Sequence, residues 1–82
     1  MDGVFDEDKK ELKVFPSPAS DIINIQNINS DISFSIINIS GKIIKEGMLS
    51  TKANQIDISS IDNGIYFLVL GKKEVFKILI SH

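Results

Sequence analysis

Apolar and polar residues alternate along much of the chain with a period of two, which is typical of β-strands. Ile32, Phe34 and Ile36 alternate with serine residues. Ile23 and Ile25 flank a single asparagine in the same way. Short segments of this kind recur about every 8–12 residues between turn signals, as in two-sheet sandwiches. The pattern predicts an all-β protein: a small immunoglobulin-like β-sandwich of six to seven antiparallel strands.

The segment from Gln55 to Ile80 carries the strongest pattern. Six apolar residues run without a break from Ile65 to Leu70, after the turn signal Asp62-Asn63-Gly64. The run is too short for a buried helix, so it predicts a central strand that is covered on both faces. Gly71-Lys72-Lys73 then predicts a reversal, with Val75 to Ile80 as the hairpin partner.

Tyr66 lies two residues after Gly64, at the start of that predicted central strand. In immunoglobulin-like sandwiches, a tyrosine here forms a tyrosine corner: its ring packs in the core and its hydroxyl binds upstream backbone. The alternative is an ordinary half-buried strand tyrosine. Antibody domains have a cysteine two residues later, where this chain has Leu68. The whole sequence lacks cysteine, so the core must be stable without a disulfide.

The first half of the chain predicts shorter strands. Leu12 to Phe15 should be an edge strand, because Pro16-Ser17-Pro18 directly follows it. Ile37-Asn38-Ile39 continues the alternation of the preceding strand in the opposite phase, which requires a bulge or a strand buried on both faces. Lys42 to Gly47 predicts a further short strand with charged ends.

Length and charge limit the possible functions. The 82 residues form one domain, which we place at 12–82, after a charged linker or leader at 1–11. The net charge is −2, with nine lysines and no arginine, which argues against a nucleic-acid partner. No apolar run approaches the ~18 residues of a membrane span.

Catalytic and metal-binding chemistry is not expected. The single histidine, His82, is the last residue, where we expect a frayed terminus that could not hold a catalytic geometry. Asp57, Asp62 and Glu74 fall in predicted turns or outward positions, where carboxylates are normally solvated. We therefore expect no enzyme activity, no catalytic or metal site and no cofactor.

Three separated motifs then match one family in order and spacing. They are Phe15 to Asp21, followed by two alternating isoleucines; Phe34 to Ile44; and Ile56 to Val69, with Lys77 to Ile80 behind it. Together they resemble the type A C-terminal sorting domain of the type IX (Por) secretion system of Bacteroidetes, over roughly residues 12–80. Ser17 stands where that family usually has asparagine, and Lys42 where it often has arginine, so a bidentate arginine contact is in doubt.

The resemblance implies a C-terminal secretion signal on a larger cargo protein. The cargo would pass through the periplasm and the type IX outer-membrane translocon to the cell surface or the medium. A sortase-like peptidase would then usually cleave the domain off, in the linker before or near Leu12. The recognition residues that the resemblance implies are Pro16, Pro18, Gly41, Lys42, Gly64, Tyr66, Lys77, Ile78, Leu79 and Ile80.

Two alternatives remain open at this point. The domain could be an immunoglobulin- or fibronectin-like binding or spacer module of a surface protein. The lysines at 72, 73 and 77 could protect a sheet edge from aggregation, or face the translocon. We also expect the last strand, Val75 to Ile80, to be an available edge with which a partner pairs by β-augmentation.

Overall fold

The computed structural model describes residues 11–82, and this part of the chain is all-β, as predicted. Seven strands are connected by turns and short loops. In chain order they are β1 (Lys13–Phe15), β2 (Ile22–Gln26), β3 (Ile32–Asn38), β4 (Ile43–Leu49), β5 (Gln55–Asp57), β6 (Gly64–Leu70) and β7 (Glu74–Ile80). The predicted linker at 1–11 lies outside the described residues, apart from Glu11.

The strands form two sheets that pack face to face. One sheet has the order β1-β2-β5, and the other has the order β4-β3-β6-β7. All neighbouring strands are antiparallel, and β1 is an edge strand, as its prolines predicted. Strand β6 is central: Leu68 lies opposite Ile36 of β3, and Tyr66 lies opposite Ile78 of β7.

The core consists of the inward side chains of both sheets, and isoleucine supplies most of it. Ile23 and Ile25 of β2 are fully buried, as is Ile56 of β5. They pack in one cluster with inward residues of the larger sheet, such as Ile36 and Leu68. Branched side chains with few rotamers suit this packing, because they lose little freedom when they are buried in strands.

The structure corrects the prediction that β6 is covered on both faces. Tyr66, Leu68 and Leu70 are buried, but Ile65 and Phe67 on the other face are 44% and 36% exposed. The three-stranded sheet packs on one face of the four-stranded sheet that contains β6. Within residues 11–82, no layer covers the other face of that sheet. The continuous apolar run therefore combines a core face with an apolar outer face.

A bulge interrupts the pairing of β3 with β4 after Ile36, but it does not produce the predicted change of phase in β3. Ile36 lies opposite Lys45, whereas Ile37 lies opposite Ile43, so Ile44 is the extra residue. The bulge therefore lies in β4, and β3 keeps a continuous register with β6. Ile37 points to the outer face, and Ile39 lies in the following turn, where it is 77% exposed.

The antiparallel topology gives the sandwich two distinct ends. We call one the corner end; it contains residues 16–21, the β3–β4 turn at 39–42, residues 58–63 and the final residues 81–82. The other is the linker end, with the loops at 27–31, 50–54 and 71–73. Leu12, just before β1, also lies at the linker end.

Candidate recognition surface at the corner end

The predicted tyrosine corner is present. Tyr66 is only 8% exposed, and its hydroxyl donates a hydrogen bond of 2.8 Å to the carbonyl of Asp62. Gly64, between them, has φ +155°, and a Cβ there would lie 3.5 Å from Cε1 of the tyrosine ring. Glycine at this position lets the chain turn closely around the ring. The corner thus fixes the loop that precedes β6.

The chain terminus binds the same loop, which corrects the expectation that His82 is frayed. The His82 N–H donates to Oδ1 of Asn63 at 2.9 Å, and its ring Nε2 lies 2.6 Å from the carbonyl oxygen of Ile61. Sequence reasoning missed these contacts, because the partners are 19 and 21 residues apart. The residues after β7 therefore help to define the corner end.

The segment after β1 also reaches this end. Ala19 is buried, its N–H donates to the Leu79 carbonyl at 2.8 Å, and its own carbonyl accepts from the Ser81 N–H at 2.9 Å. These bonds form a short parallel bridge between Ala19 and Ile80. The segment carrying the two prolines consequently connects the three-stranded sheet to the free side of β7.

The β3–β4 turn is held by one asparagine. Oδ1 of Asn38 accepts hydrogen bonds of 2.9 Å from the N–H groups of both Ser40 and Lys42. Gly41 has φ +90°, a conformation that other residues rarely adopt, and it faces open space. Asn38 lies opposite Tyr66 in the register, so this turn is adjacent to the tyrosine corner.

A cavity of about 390 Å³ lies between the β3–β4 turn and the corner. Sequence reasoning did not identify it, although Asn38-x-Ser40-Gly41 is a recognisable turn signal. The residues that line it are Asn38, Ile39, Asn63, Gly64, Ile65 and Tyr66.

The structure brings most of the predicted recognition residues together but gives them different surroundings. Tyr66, Ile78 and Ile80 are buried, so their side chains stabilise the core, and Gly64 is half-buried. The exposed members of the set are Pro16, Pro18, Gly41, Lys42, Lys77 and Leu79. Lys77 lies in the middle of β7, opposite Phe67, whereas the others are at or next to the corner end.

The carboxylates Asp57, Asp62 and Glu74 are exposed, as predicted. Hydrogen bonds from the backbone and side chain of Ser59, together with the charge of Lys45, lower the pKa of Asp57 below its usual value. Within the described range, no group of three or more His, Asp or Glu residues is placed to hold a metal ion.

A family model matches the part of the chain that contains all three motifs. The model of the secretion system C-terminal sorting domain matches residues 13–81. This chain belongs to that family. A comparison of this chain with curated proteins found no match.

The sorting domain is a C-terminal sorting signal of the type IX secretion system, as the sequence motifs predicted, and nothing favours the alternative of a binding or spacer module. Such a domain is joined to a larger cargo, is recognised by the type IX machinery, and directs export to the cell surface or medium. The family is not a family of enzymes. Among residues 11–82 there is no helix that is long and apolar enough to cross a membrane.

Proposed function

We propose that the type IX machinery recognises the corner end of the folded sorting domain, while the cargo is attached at the linker end. The observation that supports this is the convergence of motifs from three parts of the chain. The proline segment binds the end of β7 through Ala19, and the Gly41-Lys42 turn lies beside the Gly64–Tyr66 corner. The core does not require Pro16, Pro18 or Lys42 for packing, since all three are exposed.

The positions of the two ends support this polarity. Leu12 lies at the linker end, and β1 runs from there towards the corner end. The long strands of the larger sheet have seven residues, so the two ends are roughly 20 Å apart at about 3.3 Å per residue. A cargo joined before Leu12 therefore leaves the corner end accessible to a partner.

The placement of cargo and recognition surface at opposite ends allows recognition to occur first and cleavage to follow. In this proposal the cargo has crossed the inner membrane, and the translocon of the outer membrane binds the corner end from the periplasm. A sortase-like peptidase then cuts the linker in residues 1–11 or near Leu12. Because the cut and the bound surface lie at opposite ends, the peptidase can act while the domain is still held.

The free edge of β7 is a second contact in the proposal, and it is shorter than the sequence predicted. The carbonyl of Leu79 points away from β6, towards Ala19. Along a strand, the N–H and carbonyl groups of successive residues point to opposite sides. The N–H and carbonyl groups of Lys77 and Val75 therefore also point away from β6. Ala19 occupies the end of the edge, which leaves the segment from Val75 to Lys77 for β-augmentation.

A reporter fused to the whole chain in a type IX-competent host tests recognition at the corner end. Lys42→Glu changes an exposed charge at this end, and Lys52→Glu makes the same change at the linker end. We expect Lys42→Glu to lower the surface-exposed reporter several-fold and Lys52→Glu to leave it unchanged. Equal export by both variants, with both domains folded by circular dichroism, would contradict the proposal.

The β7 edge has its own matched pair of variants. Lys77→Pro removes the N–H that points away from β6, and proline is tolerated at such edge positions. Lys77→Ala removes the same charge but keeps the N–H. Export that falls in Lys77→Pro and persists in Lys77→Ala supports β-augmentation. If the two variants are exported equally well, the edge is not a pairing site.

A further inference from the structure

The cavity at the corner end has two asparagine side chains whose oxygens are already occupied. Oδ1 of Asn38 accepts from Ser40 and Lys42, and Oδ1 of Asn63 accepts from His82, each at 2.9 Å. An asparagine amide has one acceptor atom and two N–H donors. The internal contacts therefore fix the orientation of both amides and use only their oxygens.

The Nδ2 groups of both asparagines are donors that these internal contacts leave unused. Among the residues that the structure describes, neither Nδ2 group has a protein acceptor, and both asparagines line the cavity. Each Nδ2 offers two N–H groups, which donate to acceptors such as carbonyl, carboxylate or hydroxyl oxygens and do not coordinate cations. The cavity therefore suits a ligand that brings an oxygen acceptor to these donors.

The walls of the cavity are apolar. Ile39 is 77% exposed and Ile65 is 44% exposed, and both residues line the cavity together with the two asparagines. The volume of about 390 Å³ lies in the range of small-ligand pockets. It is large enough for one large aliphatic side chain together with the adjacent peptide group.

We infer that this cavity binds an extended peptide, with an aliphatic side chain between Ile39 and Ile65 and a peptide carbonyl oxygen at the amides of Asn38 and Asn63. A sugar would satisfy the donors but would leave the isoleucine walls unpaired. The carbonyl comes either from an internal peptide bond or from a chain terminus. The inference rests on the proposed function for its biological partner, a segment of the export machinery.

Aspartate variants separate the role of the oxygen from the role of the donor. Asn38→Asp and Asn63→Asp keep the oxygen that holds the turn or the terminus, and they lose the Nδ2 donors. Asn29→Asp is the matched control, because Asn29 is exposed in the loop at the linker end. All three variants change the charge equally, and none removes a buried side chain.

The test is an NMR titration of the purified, ¹⁵N-labelled full chain. N-acetyl-leucinamide represents an internal segment, N-acetyl-leucine represents a chain terminus, and N-acetyl-glycinamide lacks the aliphatic group. We expect either leucine probe to shift the side-chain amide signals of Asn38 and Asn63 and the backbone signals of Ile39 and Ile65. The tighter of the two identifies the source of the carbonyl, and the glycine probe binds more weakly.

Loss of one hydrogen bond should weaken binding of the leucine probe about fivefold in Asn38→Asp and in Asn63→Asp. The Asn29→Asp control should bind as the wild type does. Absence of localised shifts with both leucine probes, or unchanged binding by both cavity variants, would overturn the inference. Export of the reporter fused to the two cavity variants is measured separately. If these variants lose probe binding but are exported normally, the cavity has no part in recognition. The comparison of Lys42→Glu with Lys52→Glu tests the proposed function independently.

Discussion

Replacing Tyr66 by phenylalanine measures what the tyrosine corner contributes to the stability of the sandwich. The substitution keeps the buried ring and removes the hydroxyl that donates to Asp62 at 2.8 Å. An intramolecular hydrogen bond contributes about 0.5–1.5 kcal/mol net. Asp62 is exposed, so water can partly replace the lost donor at its carbonyl. We therefore expect a loss of about 1 kcal/mol in the free energy of unfolding.

The effect is large relative to the size of the domain. At 0.05–0.15 kcal/mol per residue, the described part of the chain has a total stability of roughly 4–11 kcal/mol. A loss of about 1 kcal/mol lowers the melting temperature of a 60–100-residue domain by about 4–8 °C. Tyr66→Ala also removes the buried ring, and such truncations cost about 3–5 kcal/mol. If the total is about 4 kcal/mol, that variant is close to unfolded at room temperature; at about 11 kcal/mol, it stays folded with a lower melting temperature.

Urea denaturation followed by circular dichroism measures the free energy of unfolding of Tyr66→Phe and of Tyr66→Ala. The dependence of the unfolding free energy on urea should be the same in Tyr66→Phe and the wild type, since the buried surface is unchanged. Ser33→Ala is a suitable control, because Ser33 is exposed on the outer face of the same sheet. If Tyr66→Phe lies within the measurement error of that control, the hydroxyl contributes nothing and our account of the corner is refuted.

Other substitutions test the remaining parts of the fold. Leu68→Ala, at a fully buried position, should cost about 2–5 kcal/mol in denaturation, whereas Val75→Ala on the outer face should cost under 1 kcal/mol. Gly47→Ala places a Cβ 2.9 Å from the Phe34 ring and should cost about 1–3 kcal/mol; wild-type stability would contradict this. The pKa of Asp57 is lower in the folded state than its usual value of 3.8, so the ionised carboxylate stabilises the folded state at pH values above 3.8. This contribution is lost as the pH falls through the pKa of Asp57 in the folded state. Asp57→Asn should therefore reduce the loss of stability in acid titrations, and an unchanged acid limb would show that the carboxylate is not involved.

The sequence could predict features that depend on neighbouring residues. Alternation along the chain located the strands, because one inward face per strand must be apolar. The tyrosine corner was also predictable, since Tyr66 and its acceptor Asp62 are only four residues apart. The convergence of the motifs required the register of β3, β6 and β7, which no local pattern specifies.

Other features could not be predicted, for definite physical reasons. An unbroken apolar run looks the same whether a second layer covers it or solvent does, so the exposed face of β6 was missed. The position of the bulge at Ile44 depends on how β4 pairs with β3, whereas the pattern that predicted a bulge lies in β3. The contacts of Ala19 and His82 join residues far apart in sequence, and backbone groups make most of them.

The pairing of Ala19 with Ile80 has a consequence for when the domain becomes complete. A ribosome makes residue 19 long before residue 80, and domains fold in the order in which they are made. The proline segment can reach its final position only after β7 has been synthesised. Any preceding cargo is therefore already translated when the proposed recognition surface forms, so a chain interrupted during translation would not present it.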